Sequence, residues 1–211
     1  MERRQTVQYL LEIRDVLWAA VWQFEQVESA ARRLLELDVA WLAAEEDEEI
    51  EIANVNESIR QQALLFDSLE AFLAAWARLS LLLFPVVGGD SGAPWREQRA
   101  AALQRLLEIP ELPIIANRDL RDAWMHFDER LDQMISAGKV AGRQRFTRSK
   151  DVTDRLKENT LRLIEVDTLK IHYHDRAGTV QTTDLHPLNR ALGQLQDRLK
   201  TAWSLNRKAA T

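Results

Sequence analysis

Apolar residues recur at every third or fourth position over most of the first half of the chain. From about Arg4 to Trp41 they form one stripe, whose members are Leu10, Leu11, Leu17, Trp18, Val21, Phe24, Val27, Ala31, Leu34 and Leu35. This spacing places side chains on one face of an α-helix, so we expect one long helix with a buried face. The same pattern predicts a second long helix from Ile52 to Phe84, which ends before Pro85.

Two shorter helices are expected next. The glycine and proline residues of VVGGDSGAP predict a loop, after which Pro94 or Trp95 begins a third helix that continues to about Ile109. Asn117 is a favourable N-cap for a fourth helix, which we expect over residues 118–137. Four amphipathic helices with mostly short connections favour a mainly α fold, an antiparallel four-helix bundle whose first two helices are long.

The pattern changes after Gly138. The segment AGRQRFTRSKDVTDRLKENT is polar and basic, which predicts a linker with a short helix in it. The segments TLRLIEV, TLKIHYH and TVQTT predict a small β-meander, and Thr183 or Asp184 is expected to cap a final helix. We therefore divide the chain into a helical bundle domain (1–138), a basic polar linker (139–158) and a β-meander with a C-terminal helix (159–211).

The composition narrows the range of partners. The formal net charge of −5 does not attract nucleic acid to the protein as a whole, so RNA contact requires a local basic patch. One such patch is predicted at Arg143, Arg145, Arg148 and Lys150, although a solvated linker explains the same run. The absence of cysteine excludes disulfides, thiolate zinc sites and cysteine nucleophiles.

No membrane association is expected. The longest apolar run, from Leu79 to Val87, is interrupted by Ser80 and Pro85 and is too short to cross a bilayer. The N-terminal segment lacks the apolar core of a signal peptide. We therefore expect a cytoplasmic location.

Two histidines stand two residues apart on the second predicted strand. His172 and His174 therefore project from one face, and Asp175 and His186 are near enough in sequence to complete a metal-ligand set. Two exposed histidines on a solvated hairpin face are the simpler interpretation. We predict neither a metal nor another cofactor.

The most suggestive chemistry lies on the fourth predicted helix. Arg121 and His126 form an Arg-x4-His pair, and polar Asp122 directly follows the arginine. A histidine can take a proton from a ribose 2′-OH or give one to a leaving 5′-oxygen, while an arginine neutralises the phosphate, which together would cleave RNA without a metal. Structural ion pairs at a helix start would use the same residue types.

One helix does not bring this pair together. Five steps along an ideal helix separate the side chains of Arg121 and His126 by about 140°. A stripe at four-residue spacing instead joins Arg118, Asp122, His126 and Arg130, which we expect to support and orient the catalytic pair.

An Arg-x4-6-His motif with a polar residue after the arginine, on the last helix of a four-helix bundle, resembles the HEPN superfamily (higher eukaryotes and prokaryotes nucleotide-binding). The resemblance covers about residues 1–138 in architecture, but only Arg121, Asp122 and His126 in motif. It implies a metal-independent ribonuclease, often a toxin or defence effector, whose two motifs meet across a homodimer interface. The β-meander is no part of the minimal domain of that superfamily.

Two other functions remain open. Tyr9, Trp18, Trp22 and Trp41 would suit a non-catalytic helical protein that buries aromatic side chains against a second subunit, with the meander docking a partner protein. A HEPN-like module that binds RNA or a nucleotide without cleaving it is the third hypothesis.

Overall fold

The computed structural model describes residues 2–43, 48–86, 92–138 and 142–208. In this part of the chain the α-helices are α1 Arg3–Ala43, α2 Glu48–Leu83, α3 Ala93–Leu106, α4 Asp119–Met125, α5 Phe127–Ser136, α6 Asp154–Glu158 and α7 Leu185–Lys208. The strands are β1 Gly142–Thr147, β2 Thr160–Glu165, β3 Lys170–His174 and β4 Val180–Asp184. Short 3-10 helices cover Ile109–Glu111, Pro113–Ala116 and Ser149–Asp151. The predicted mainly α fold, with a small sheet before the final helix, is confirmed.

The three predicted helices of the first half are present, with ends that differ by a few residues. Their buried faces follow the three- and four-residue spacing, as in Leu10, Leu17, Phe24 and Leu34 of α1. Trp18 of α1 departs from this pattern, since it was expected in the buried stripe but is 61 % exposed. Periodicity defines the centre of a stripe better than its edges, because a side chain at the edge needs a neighbour to cover it.

The described chain forms two compact units, and α1, α2 and α7 each contribute to both. The first unit contains the described residues within the ranges 1–22, 72–118 and 187–211. Its core is built from the apolar faces of these helix segments, with Trp76 and Leu103 among the buried side chains. The indole Nε1 of Trp76 donates a hydrogen bond of 2.9 Å to the carbonyl oxygen of Asn117, so its one polar group is satisfied inside the core.

The second unit contains the described residues within the ranges 23–71 and 119–186, including strands β1 to β4. Trp124 is its central aromatic residue: its ring stacks on Phe66 with the ring centroids 6.2 Å apart. The guanidinium of Arg162 lies 4.3 Å from the centroid of the Trp124 ring. Burial lowers the pKa of Arg162 to about 10, because it removes water from the charged guanidinium. The aromatic face of Trp124 provides part of the stabilisation that water would otherwise give.

The sheet has the strand order β1-β2-β3-β4. Strands β2, β3 and β4 pair antiparallel, as the predicted meander requires. Strand β1 was not predicted: it lies in the segment expected to be a linker and pairs parallel with β2. The short helix expected in that segment is α6, and Asp184 caps α7 by accepting a hydrogen bond of 2.9 Å from the backbone N–H of His186.

All six residues of β2 and four of the five residues of β3 are buried. Both faces of these two strands are therefore covered, and polar side chains that would point to water in an open hairpin lie inside the unit. In the described residues, no helix is long and apolar enough to span a membrane.

Candidate functional site

The fourth predicted helix is interrupted at His126, so the expected continuous helix over residues 118–137 is wrong at that residue. Helix α4 ends at Met125, α5 begins at Phe127, and His126 has φ −95° and ψ 40°. The hydrogen-bond ladder runs past the break, because His126 N–H donates to Asp122 and Arg130 N–H donates to His126, both at 3.2 Å. The break therefore reorients His126 without separating the two helices.

The side chain of His126 is half-exposed, at 51 %. Its Nδ1 atom lies 3.2 Å from Oε1 of Glu129, one turn further along α5. Within the part of the chain that the structure describes, Nε2 makes no hydrogen bond. A carboxylate at Nδ1 fixes the ring and its tautomer and leaves Nε2 as the nitrogen that can exchange a proton with a ligand. Glu129 was not predicted to serve the site.

His126 lies on the wall of an open cleft of about 720 Å³. We call it the carboxylate-lined cleft; it is formed by Asp119, Asp122, Ala123, His126, Glu129, Arg130, Tyr173, Asp175, Arg176, Ala177 and Gln181. Three of the residues predicted from the sequence, Asp122, His126 and Arg130, meet here. Arg118 and Arg121 are not among the residues that line it, and Arg121 instead pairs with Asp122 at 2.8 Å.

Arg130 is the buried cation of this cleft. Only 6 % of the residue is exposed, although its side chain is charged at any physiological pH. Its Nη1 atom is 3.4 Å from Oε1 of Gln133, a long contact, and its buried Nε atom has no hydrogen-bond partner among the described residues. The guanidinium therefore retains hydrogen-bonding capacity next to the cleft.

The opposite wall comes from β3 and the turn that follows it; the sequence named Asp175 only as a possible metal ligand and did not place these residues beside His126. Asp175 Oδ1 accepts hydrogen bonds from the N–H groups of Ala177 and Thr179, and Oδ2 accepts one from Gln181. The Thr179 N–H bond is the largest of the effects that lower the pKa of Asp175. Burial, reinforced by nearby carboxylates, raises the pKa of Tyr173. The available signal was the segment DRAG at residues 175–178, whose residue types favour a turn between two strands.

The strand histidines are buried, which overturns their expected exposure. His172 and His174 are each 3 % exposed. His172 Nε2 lies 2.7 Å from Glu165 Oε1, and Nδ1 lies 2.8 Å from Thr182 Oγ1. Both ring nitrogens are therefore held by neighbouring strands. No group of three or more metal-ligating side chains is found within the described ranges.

The predicted basic patch is divided by its contacts. Arg145 and Lys150 are exposed, whereas Arg148 forms an ion pair of 2.7 Å with Asp38. The side chain of Arg143 lies outside the described residues. Two exposed cations of this run thus remain available to a polyanion.

Comparison with family models, with curated proteins and with solved structures finds no significant match to this chain. The geometry of the cleft is therefore the basis on which a function is inferred.

Proposed function

We propose that the chain is a HEPN-like, metal-independent endoribonuclease, a toxin or defence effector that acts as a homodimer in the cytoplasm. The proposal includes the antiparallel four-helix bundle of that superfamily for residues 1–138. One observation carries it: the half-exposed imidazole of His126, held by Glu129, lines the same cleft as the buried guanidinium of Arg130. A proton-transfer group and a phosphate-binding group thus face one open space.

The chemistry follows from these two groups. His126 Nε2 removes the proton of a ribose 2′-OH, and the 2′-oxygen attacks the adjacent phosphorus. A 2′,3′-cyclic phosphate forms as the bond to the 5′-oxygen breaks, and this leaving oxygen takes a proton from an imidazolium, supplied by His126 of the second copy. Arg130 stabilises the negative charge that gathers on the phosphate oxygens.

Arg121 has a different place in this proposal. Within one chain it pairs with Asp122 and does not line the cleft, so the role that the motif implies for it requires a second copy of the chain. The carboxylates Asp119, Asp122 and Glu129 repel a phosphate over part of the cleft. Substrate phosphate therefore has its favourable approach beside Arg130 and Arg176.

The test is cleavage of labelled single-stranded RNA by the purified protein in EDTA. We expect turnover in the parent protein and a loss of at least about 100-fold in His126→Ala, because general acid–base catalysis contributes on that order. His186→Ala is the matched control, since it removes a partly exposed imidazole that does not line the cleft. Full cleavage by His126→Ala with unchanged circular dichroism would reject this site. RNA binding without turnover would favour the non-cleaving module.

A second candidate function is supported by exposed aromatic residues on α1. Trp18 and Trp22, one turn apart, are 61 % and 57 % exposed. Beside Trp18 is an apolar groove of about 350 Å³, lined by Arg14, Leu17, Trp18, Gln196, Leu199, Lys200 and Trp203. Tyr9 is already covered by the guanidinium of Arg99, 5.3 Å from its ring centroid, and the side chain of Trp41 is outside the described residues.

We propose that this face binds a second copy of the chain. A two-fold interface brings the same patch of both subunits together, so a patch with a protruding indole at Trp22 and a groove beside Trp18 is self-complementary. Light scattering should show a dimer that Trp18→Ala/Trp22→Ala converts to a monomer, whereas Trp95→Ala, on another helix and 40 % exposed, should not. A monomeric parent protein rejects this interface. A dimer without RNA cleavage favours the non-catalytic function. Under this non-catalytic hypothesis, the β-meander binds a partner protein.

A further inference from the structure

A second cavity, of about 370 Å³, shares Arg130, Arg176 and Ala177 with the carboxylate-lined cleft. We call it the cationic cavity; it is formed by Arg130, Gln133, Met134, Ala137, His174, Arg176, Ala177 and Gly178. Two guanidinium groups line it, and none of the described residues that form it carries a carboxylate. The charge of this cavity is therefore opposite to that of its neighbour.

The main cation of the cavity is nine-tenths buried and weakly bonded. Arg130 is 6 % exposed, its Nε atom has no hydrogen-bond partner within the described part of the chain, and its Nη1 contact with Gln133 is 3.4 Å long. Among the described residues Arg130 forms no ion pair within 4 Å. Burial of a guanidinium that has few hydrogen bonds and no ion pair is unfavourable until an anion supplies both charge and hydrogen-bond acceptors.

A carboxylate that senses the charge of Arg130, that of Asp175, is hydrogen-bonded within its own turn. Asp175 is close enough for the charge of Arg130 to help lower its pKa. Its two carboxylate oxygens, however, accept three hydrogen bonds from residues 177, 179 and 181, at 2.7 to 3.0 Å. Asp175 therefore shapes the turn that carries Arg176 and does not neutralise Arg130 by direct contact.

His174 is a wall of the cavity and not a ligand-binding group. Its Nε2 atom lies 3.1 Å from the carbonyl oxygen of Lys157, and Nδ1 lies 3.3 Å from that of Gly178. Both ring nitrogens are thus directed at backbone acceptors. The donors that remain for a ligand are the guanidinium groups of Arg130 and Arg176 and the amide of Gln133.

We propose that the cationic cavity binds a phosphate group, held between the buried Arg130 and the exposed Arg176. Guanidinium groups match the paired oxygens of phosphate in geometry, and two of them balance the charge of a phosphate monoester. The ligand is either free phosphate or the terminal phosphate of an oligonucleotide. The inference goes beyond RNA cleavage, because binding here needs neither His126 nor turnover.

Isothermal titration calorimetry tests the proposal with two probes, inorganic phosphate and a 5′-phosphorylated hexauridylate beside its unphosphorylated form. Sodium chloride keeps the ionic strength constant. We expect saturable binding of phosphate, weakened at least about 10-fold in Arg176→Gln, which loses one charge-assisted pair. Arg155→Gln, which removes an exposed arginine on α6 that does not line the cavity, should bind like the parent protein.

The outcomes distinguish free phosphate from an RNA end as the ligand, and they distinguish phosphate binding from RNA cleavage. Tighter binding of the phosphorylated oligonucleotide than of inorganic phosphate and of the unphosphorylated form identifies an RNA end as the ligand. Inorganic phosphate that binds as tightly as the phosphorylated form identifies free phosphate. Arg130→Gln should also abolish binding, but Arg176→Gln keeps the test valid if burial makes the Arg130 variant unstable. No phosphate binding, or equal loss in Arg155→Gln, overturns the inference. Because His126→Ala should bind phosphate normally, loss of cleavage in that variant leaves this result unaffected.

Discussion

His126 and His172 each lie beside a glutamate, yet their surroundings differ in every other respect. The ring of His172 is 2.7 Å from Glu165, is 3 % exposed and has its second nitrogen on Thr182. The ring of His126 is 3.2 Å from Glu129 and half-exposed, with its second nitrogen toward open space. A histidine–carboxylate contact is therefore not by itself a sign of function. The histidine that can do chemistry is the one that retains an accessible nitrogen.

The largest expected effect is the difference in stability between variants of the two histidines. His172→Ala leaves Oε1 of the buried Glu165 without its hydrogen-bond partner and opens a cavity, so we expect the free energy of unfolding to fall by about 3 kcal/mol. His126→Ala removes an exposed side chain and should change it by less than about 0.5 kcal/mol. Urea denaturation followed by circular dichroism measures both. Equal losses in the two variants would contradict the contrast.

Asp175 lies between these extremes, because it is partly exposed but accepts three hydrogen bonds. Asp175→Ala should lower the free energy of unfolding by about 2 kcal/mol at pH 7, since the turn loses its acceptors. The pKa of Asp175 is lower in the folded state than in the unfolded state. Its contribution is therefore fully present above the unfolded pKa and is lost as the pH falls through the folded value.

The pH dependence can be measured with Asp175→Asn, which keeps the shape of the side chain but cannot ionise. The difference in urea midpoint between this variant and the parent protein should narrow as the pH is lowered from about 5 to about 3, around the ordinary range of an aspartate. A difference that stays constant over this range would mean that the charge of Asp175 does not stabilise the turn.

Substitution of Glu129 should affect catalysis, whereas substitution of Glu165 should affect stability. Glu129→Gln is expected to leave the melting temperature unchanged and to lower kcat for RNA cleavage about 10-fold with KM unchanged, because the ring of His126 loses its orienting acceptor. Glu165→Gln should instead lower the melting temperature and leave kcat of the folded protein unaltered. A rise in KM for Glu129→Gln, with constant kcat, would place Glu129 in binding.

The smallest effect concerns the basic run before β2. Arg145→Gln/Lys150→Gln removes two exposed charges and should weaken RNA binding about 3-fold at physiological salt, with a shallower dependence on salt concentration. Arg148→Gln should act on stability instead, because this side chain is paired with Asp38. An unaltered salt dependence in the double variant would show that RNA does not contact this run.

Part of the helical half of the site could be predicted from the sequence, whereas the strand half and Glu129 could not. Four-residue spacing was enough to group Asp122, His126 and Arg130, because neighbours on one helix face are set by local geometry. Their meeting with Tyr173 and Arg176 joins segments about fifty residues apart in the chain, and no periodicity reports such a contact. The break at His126 was also missed, since nothing in the local pattern indicates it.

Burial was harder to predict for the sheet than for the helices. The alternation of TLKIHYH correctly indicated a strand, but which faces are covered depends on the elements packed against it. His172 and His174 were therefore assigned to water, and β1, with its arginines, was taken for a linker. The exposed Trp18 shows the reverse error, in which an apolar residue was assigned to the interior.

The position of Arg130 on the wall of both cavities has a thermodynamic consequence. An anion held by this guanidinium in one cavity reduces the positive potential that a ligand in the other one experiences. The two occupancies are then coupled, and the factor by which the first ligand alters the affinity of the second must equal the factor in the reverse direction. A single buried side chain would in this way set the sign and the size of communication between two binding events.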